Sequence, residues 1–233
     1  MNVPLAPAPD RVRALTDATV DEVSTIALVI KAGAGTQRHV GILHKDPDDA
    51  RASVQLLDLR WHHEVGAQAP RLPSRYLWAV PSVEPEIAYV LAKLCKKIAD
   101  QYVRGDRRLA YALKYAGATF DRGAGIFMNE AGRGLTCATF VMAVFASHGA
   151  PLLHWAEWQP REEDRAWQAQ VVQALRDCGA DEGHVTAVNE EAQQGATRFR
   201  PEEVAAAGVC DTLPLGFTEA ERIGKFIVER LPP

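Results

Sequence analysis

The first third of the chain contains short apolar runs separated by polar turns, which is the pattern of a β-sheet. The clearest run, TIALVIK at residues 25–31, is continuous and rich in β-branched side chains. Runs of this length and composition predict buried strands. We predict four strands, at residues 25–31, 38–44, 54–63 and 75–80. The third is apolar enough to be buried on both faces. Turn and loop signals separate the strands at residues 32–36, 45–52 and 64–74.

From residue 85 onward the apolar spacing changes to that of helices. Apolar positions recur at intervals of three and four, which places them on one face of a helix. We predict helices at residues 85–104, 106–116, 138–146, 162–175, 201–207 and 218–231, and a short strand at 184–188. A β-rich half followed by a helical half predicts an α+β fold.

The domain boundaries follow from the same pattern. Residues 1–22, which begin with a proline-rich stretch, are expected to form an N-terminal arm. Residues 23–233 are expected to form a single domain. Within it we distinguish a histidine-bearing sheet at 23–80, helices at 84–150 and a helical C-terminal extension at 151–233.

Composition and charge narrow the class of protein. The chain has 233 residues, of which 47% are hydrophobic, and a net charge of −4 without a basic stripe that would indicate nucleic-acid binding. No apolar run is long enough to span a bilayer, and the N-terminus lacks the apolar segment of a secretory signal. We therefore expect a cytoplasmic protein; a target outside the cell would require delivery by another route, as for an effector. The pattern does not indicate an oligomeric state.

Among four widely spaced cysteines, Cys137 has the context of a nucleophile. Glycines precede it, and an unbroken apolar helix follows at residues 138–146. A thiol in the first turn of a buried helix lies at the positive end of the helix dipole, which favours the thiolate. The alternative is an inert core thiol. Because no C-x-x-C pair occurs, we expect neither a zinc site nor a dense disulfide framework.

A cysteine nucleophile needs a histidine as its base, and His39 is the preferred candidate. It opens the second predicted strand, with Gly41 on the same face. A simple hairpin brings Asp58 roughly opposite His39, so Asp58 is one candidate to orient the imidazole. His62, on the same face as Asp58, is the other. A plain pairing of Asp58 with Arg60 is the non-catalytic alternative.

Another histidine, His184, is a rival base, because it opens the predicted strand at 184–188 and follows Cys137. That strand lacks a convincing partner, so we prefer His39. His44 adjoins a charged loop and is expected to be solvated. The spacing of the histidines in the predicted hairpin matches no standard metal motif, so we expect no metal or other cofactor.

Two segments resemble a known superfamily of cysteine enzymes. ALKYAGATF at residues 112–120, the glycines at 123 and 125, and TCATFV at 136–141 resemble the nucleophile region of NlpC-type papain-like cysteine peptidases. HVGIL at 39–43 resembles the histidine strand of that superfamily. Because the histidine comes first here, the order is similar to the circularly permuted branch, which includes the lecithin retinol acyltransferase-like enzymes. The resemblance covers roughly residues 23–63 and 108–148.

The resemblance implies a papain-like antiparallel sheet packed on the cysteine helix, with the C-terminal helices as additions. It implies a cysteine hydrolase in which Cys137 attacks an amide of a peptide or peptidoglycan-like substrate and His39 serves as base. A thiol acyltransferase, a lipid-ester hydrolase or a non-catalytic interaction module on the same fold are the alternatives. Three positions depart from the pattern: Thr136 replaces Asp or Asn, Ala138 replaces Ser or Glu, and Phe120 replaces a tyrosine that helps bind the oxyanion.

Overall fold

The central feature of the computed structural model is a six-stranded antiparallel sheet. The structure describes residues 9–33, 35, 37–72, 75–128 and 134–232. The strands of the sheet are β1 (Arg13–Ala14), β2 (Ile26–Ala32), β3 (Arg38–His44), β4 (Gln55–Trp61), β5 (Glu64–Gln68) and β6 (Tyr76–Ala79). Their order across the sheet is β1-β6-β2-β3-β4-β5. A separate small hairpin pairs β7 (Thr119–Phe120) with β8 (Phe127–Met128).

Seven described α-helices accompany this sheet, so the predicted α+β class is confirmed. They are α1 (Asp17–Val20), α2 (Pro85–Ala99), α3 (Cys137–Ala146), α4 (Arg165–Asp177), α5 (Glu182–Gln193), α6 (Pro201–Ala206) and α7 (Phe217–Val228). A π-helical turn at Asp100–Arg104 completes the helix predicted over 85–104. None of the described helices combines the length and the apolar character that a bilayer-spanning segment requires.

The sheet is buried on both faces, because alternate residues of its strands face two separate apolar clusters. Ile42 of β3 and Leu57 of β4 belong to the larger cluster, together with Phe140 of α3. Leu43 and Leu56, their neighbours in sequence, belong to the smaller cluster on the other face. Since side chains alternate across a strand, this confirms the prediction that the strand at 54–63 is buried on both sides.

The helix α3 packs against the sheet. Its residues 137–145 are all buried, and it contacts both β3 and β4. Its N-terminus is closed by a capping box, in which the Thr136 hydroxyl accepts from the Thr139 N–H (3.2 Å) and the Thr139 hydroxyl accepts from the Thr136 N–H (2.8 Å). The first turn of α3 therefore has a fixed position relative to the sheet.

The helix predicted at 106–116 is wrong, because this segment consists of bends and irregular backbone. Its backbone groups bond to distant parts of the chain instead of to one another. The Ala110 carbonyl accepts from the Leu135 N–H (3.0 Å), and the Glu191 carboxylate accepts from the N–H groups of residues 113 and 114 (3.0 Å each). Backbone donors satisfied in this way do not need a helix, whatever the local propensity.

Two other assignments are corrected. Residues 184–188, predicted as a strand, lie in α5, where the Asp181 side chain caps the helix by accepting from the His184 N–H (3.1 Å). The loop predicted at 64–74 contains β5, which pairs with β4 after a tight turn in which His63 adopts a left-handed φ of 64°.

The expected N-terminal arm also enters the fold earlier than residue 23. Residues 1–8 lie outside the described part of the chain. Beyond them, β1 pairs with β6, and Leu15 is fully buried in the smaller apolar cluster. Burial of Leu15 explains why this segment adds a strand to the edge of the sheet.

Contrary to expectation, His44 is buried, and this predicts an acid-sensitive fold. The side chain is 4% exposed, and neither ring nitrogen has a hydrogen-bond partner among the described residues. Burial lowers the pKa of His44 from 6.5 to about 4. The folded protein therefore keeps a neutral ring while the unfolded chain binds a proton, so stability present above pH 6.5 is lost as the pH falls through about 4.

We expect His44→Leu to remove this part of the pH dependence. In the unaltered protein the contribution amounts to about 3 kcal/mol of unfolding free energy between pH 7 and pH 4. Urea unfolding at several pH values measures it, with exposed His154→Leu as the matched control. Equal pH slopes for the unaltered protein and His44→Leu would contradict the assignment.

Candidate active site

The thiol of Cys137 lies at the first residue of α3, directly after the capping residue Thr136. Backbone N–H groups at a helix N-terminus have no partner within the helix, and their dipoles favour a negative charge. Cys137 is 7% exposed, and it lines a cavity of about 150 Å³ that His39 also lines. The thiol is therefore buried yet reachable from this cavity.

The register of two neighbouring strands brings His39 and Asp58 together. Pairing of Ile42 in β3 with Leu57 in β4 sets the alignment of the two strands. In that alignment the His39 Nε2 atom lies 2.9 Å from the Asp58 Oδ2 atom. Because a carboxylate only accepts, Nε2–H donates in this bond. The expected pairing across the hairpin thus occurs, and Asp58 is 2% exposed.

Gly41 makes this approach feasible. A Cβ atom at Gly41 would lie 3.0 Å from the Leu57 carbonyl oxygen and 3.1 Å from the Asp58 Cβ atom. The missing side chain leaves that space to the carboxylate. The other oxygen of Asp58 accepts from the Arg60 Nε–H at 3.1 Å, so the pairing with Arg60 exists in addition to the one with His39.

His39 and Cys137 line the same cavity, so the thiol and the His39–Asp58 pair belong to one site. Burial by itself lowers the pKa of His39. The hydrogen bond to Asp58 and the interactions with the neighbouring Cys137 and with the charge of Asp58 outweigh burial and raise the pKa to about 9. At neutral pH the imidazole is therefore protonated.

The other proposed orienting residue, His62, lies elsewhere. Its Nδ1 atom accepts from the Tyr111 N–H at 3.2 Å, and its ring stacks on His63 with centroids 3.8 Å apart. Burial, and then the neighbouring His63 and His184, lower the pKa of His62 to about 4. His62 therefore stays neutral and supports the backbone of Tyr111 instead of orienting His39.

The rival base His184 has a similar supporting role. Its Nε2–H donates to the Tyr111 carbonyl at 2.9 Å. His62 thus bonds the N–H of Tyr111, and His184 bonds its carbonyl group. Because a strand was predicted at His184, this role was not foreseen.

Tyr111 is the site residue that sequence reasoning missed. Its side chain lines the cavity together with Cys137, and burial, followed by the charge of Cys137, raises the pKa of Tyr111. Gly134 allows the approach, because a Cβ there would lie 1.9 Å from the Ala110 carbonyl oxygen. Phe120, where the superfamily pattern has a tyrosine, is instead packed on Phe140 in the core. Nothing near position 111 in the sequence signals the role, since it depends on the irregular path of this segment.

Comparisons with known proteins do not assign this site to a known family. No family model, no curated protein and no solved structure matches the chain. Among the described residues, no group of three or more His, Cys, Asp or Glu side chains is arranged to hold a metal ion. The class that the site defines is therefore argued from the Cys137–His39–Asp58 arrangement itself.

The hydrogen bond between His39 and Asp58 predicts that the pKa of His39 depends on Asp58. We expect Asp58→Asn to move the titration midpoint of His39 from about 9 to a lower pH, by about one unit or more, because a charge and a charge-assisted bond that favour imidazolium are lost. NMR of the labelled imidazole measures the midpoint. Asp46→Asn, in the turn after β3, is the matched control and should leave it unchanged. An unaltered midpoint in Asp58→Asn would contradict the coupling.

Proposed function

We propose that this protein is a cysteine hydrolase that cleaves an amide bond. The observation that carries the proposal is His39 bonded to the buried Asp58 carboxylate and lining one cavity with Cys137, whose thiol lies at a helix N-terminus. A nucleophile, a base and a group that orients the base form the general arrangement for covalent catalysis by a side chain. The histidine-first likeness to permuted NlpC-type enzymes supports the same class.

The chemistry runs in two steps through an acyl-enzyme. In the first, the Cys137 thiolate attacks the carbonyl carbon, and the imidazolium of His39 gives its proton to the leaving amine as the C–N bond breaks. In the second, His39 takes a proton from water, the hydroxide attacks the thioester, and the acid leaves as the thiolate is restored. In both steps the Asp58 carboxylate accepts a hydrogen bond from the His39 Nε2–H. The other ring nitrogen, Nδ1, is then the one that exchanges protons.

The oxyanion of each tetrahedral intermediate needs donors, and two groups near Cys137 qualify. They are the Cys137 N–H and the hydroxyl of Tyr111, which lines the same cavity. In the proposed complex both donate to the oxyanion. Donors held in place by the fold act strongly in a site from which water is excluded.

The lining of the cavity favours an amide substrate over a lipid ester or an acyl chain. Side chains of Arg38, Arg60 and Arg198 line the 150 Å³ cavity together with aromatic rings. A long acyl chain needs an extended apolar channel, whereas this cavity is small and carries three guanidinium groups. A peptide or cell-wall peptide therefore remains the proposed substrate.

Two variants test the nucleophile and the base. We expect Cys137→Ala and His39→Ala to lose detectable release of amine from peptidoglycan fragments and synthetic peptide amides, because each removes one of the two reacting groups. Turnover of the unaltered protein should fall as the pH rises through about 9, where His39 loses the proton it must donate. The readouts are free-amine release and product mass.

Exposed His154→Gln is the control and should keep full activity. An active His39→Ala beside an inactive His184→Gln would contradict the assignment of the base. If mass spectrometry of the trapped acyl-enzyme found a fatty acyl group, the lipid alternative would replace the amide reading.

Tyr111 gives a second, independent test. We expect Tyr111→Phe to lower kcat about 10²-fold with little change in stability, because one oxyanion donor is lost while the ring stays packed on Trp61. Tyr115→Phe removes another buried hydroxyl, one that donates to the Ala118 carbonyl, and is the matched control. Equal kcat for the two variants would exclude Tyr111 from catalysis.

A further inference from the structure

The cavity over Cys137 is positively charged although the chain as a whole is negative. Among the described residues that line it, Arg38, Arg60 and Arg198 carry guanidinium groups, and there is no aspartate or glutamate. The whole chain has a net charge of −4. The charge at the cavity therefore reflects local placement and not overall composition, and it favours an anion.

A neighbouring cleft extends the same charge. This cleft, of about 450 Å³, shares His39 and Arg60 with the first cavity and adds Lys31 and Arg71. Its one described carboxylate is Asp58, which already accepts from His39 and Arg60. Positive side chains thus lie on both sides of the catalytic histidine.

Arg198 gives the most specific indication of an anion site at this cavity. Its Nε atom is buried and has no acceptor among the described residues. The rest of the group is fixed: the guanidinium stacks 4.1 Å over the Trp167 ring, and Nη1–H donates to Asp164 at 3.1 Å. A buried donor without an acceptor is unfavourable in the free protein. Arg198 also lines the cavity over Cys137, so a small shift of its side chain would let a ligand oxygen satisfy this donor.

Arg198 shares its carboxylate partner with two other arginines. Asp164 also accepts from Arg161 Nε–H at 3.0 Å and Arg200 Nη2–H at 2.9 Å, while Glu203 and Glu163 pair with Arg161 and Arg200 in addition. Arg198 therefore has the weakest pairing of the three, and a guanidinium edge matches the planar geometry of a carboxylate.

We propose that the Cys137 site selects substrates that carry a carboxylate beside the scissile amide, with Arg198 as its anchor and Arg38 and Arg60 adding positive charge. The cavity of 150 Å³ equals about five water volumes. It has room for a short carboxylate-bearing group and not for a bulky headgroup. This inference rests on the proposed function; Arg198 lies outside the two segments that resemble the NlpC-type enzymes.

Alkylation of Cys137 by two reagents tests the inference without a known substrate. Iodoacetate and iodoacetamide have the same reactive carbon and differ in charge. We expect the ratio of their rate constants, iodoacetate over iodoacetamide, to be at least about 10-fold higher at Cys137 than at the exposed Cys178, and to fall with added salt. Site-resolved mass spectrometry gives both rates in one sample.

The variant Arg198→Met should bring the ratio at Cys137 close to that at Cys178 while the iodoacetamide rate changes less than about twofold. Arg198→Lys should keep part of the preference. Arg176→Met, on an exposed part of α4, removes the same charge away from the cavity and should change nothing. A preference that survives in Arg198→Met would overturn the role of Arg198.

Protection of the unaltered protein covers the case in which Arg198→Met does not fold. Glutarate should slow alkylation of Cys137 by iodoacetamide, and neutral glutaramide should not. Protection by phosphatidylglycerol vesicles but not by glutarate would overturn the small-carboxylate ligand in favour of an anionic lipid. Equal effects of glutarate and glutaramide would also overturn it.

The outcomes separate this inference from the proposed function. If Cys137 reacts rapidly with iodoacetamide but shows no preference for iodoacetate, only the carboxylate site fails. If Cys137 reacts with iodoacetamide no faster than Cys178, the nucleophile itself fails, the carboxylate inference falls with it, and a non-catalytic module with an inert thiol becomes the better description.

Discussion

The alignment of β3 with β4 is the constraint on which the site depends. Successive side chains of a strand point to opposite faces, so a shift of one residue would move Asp58 away from His39 and expose the apolar residues beside them. Burial on both faces fixes the register, because Ile42 and Leu57 fill one cluster while Leu43 and Leu56 fill the other. The geometry of the His39–Asp58 pair is therefore fixed by the core of the sheet.

Burial of α3 provides the other half of the site. The apolar residues that follow Cys137 hold this helix under β3 and β4, and the reciprocal bonds of Thr136 and Thr139 set its first turn. The Thr136 position departs from the Asp or Asn of the NlpC-type pattern, yet a threonine hydroxyl caps a helix as well. The departure therefore changes the chemistry next to the thiol without loosening its position.

Contacts from distant elements complete the surroundings of the thiol. The irregular segment that carries Tyr111 is held by His62, His184 and Glu191. The segment before α6 adds Arg198, whose orientation depends on Trp167 and Asp164. The C-terminal extension thus packs on the sheet and adds a positive charge to those of Arg38 and Arg60 at the cavity.

The sequence by itself determined the strands at 25–31 and 38–44 and the apolar helix that follows Cys137, and it gave Asp58 as one of two candidates to pair with His39. These features follow from local patterns, namely β-branched runs, an unbroken apolar helix and residues near each other on adjacent strands. Only the tertiary structure decided between Asp58 and His62 and fixed the path of residues 106–116 and the place of Tyr111. In these cases the deciding bonds join residues far apart in the chain, and local propensity carries no information about such partners. The helix around His184, by contrast, is capped locally by Asp181.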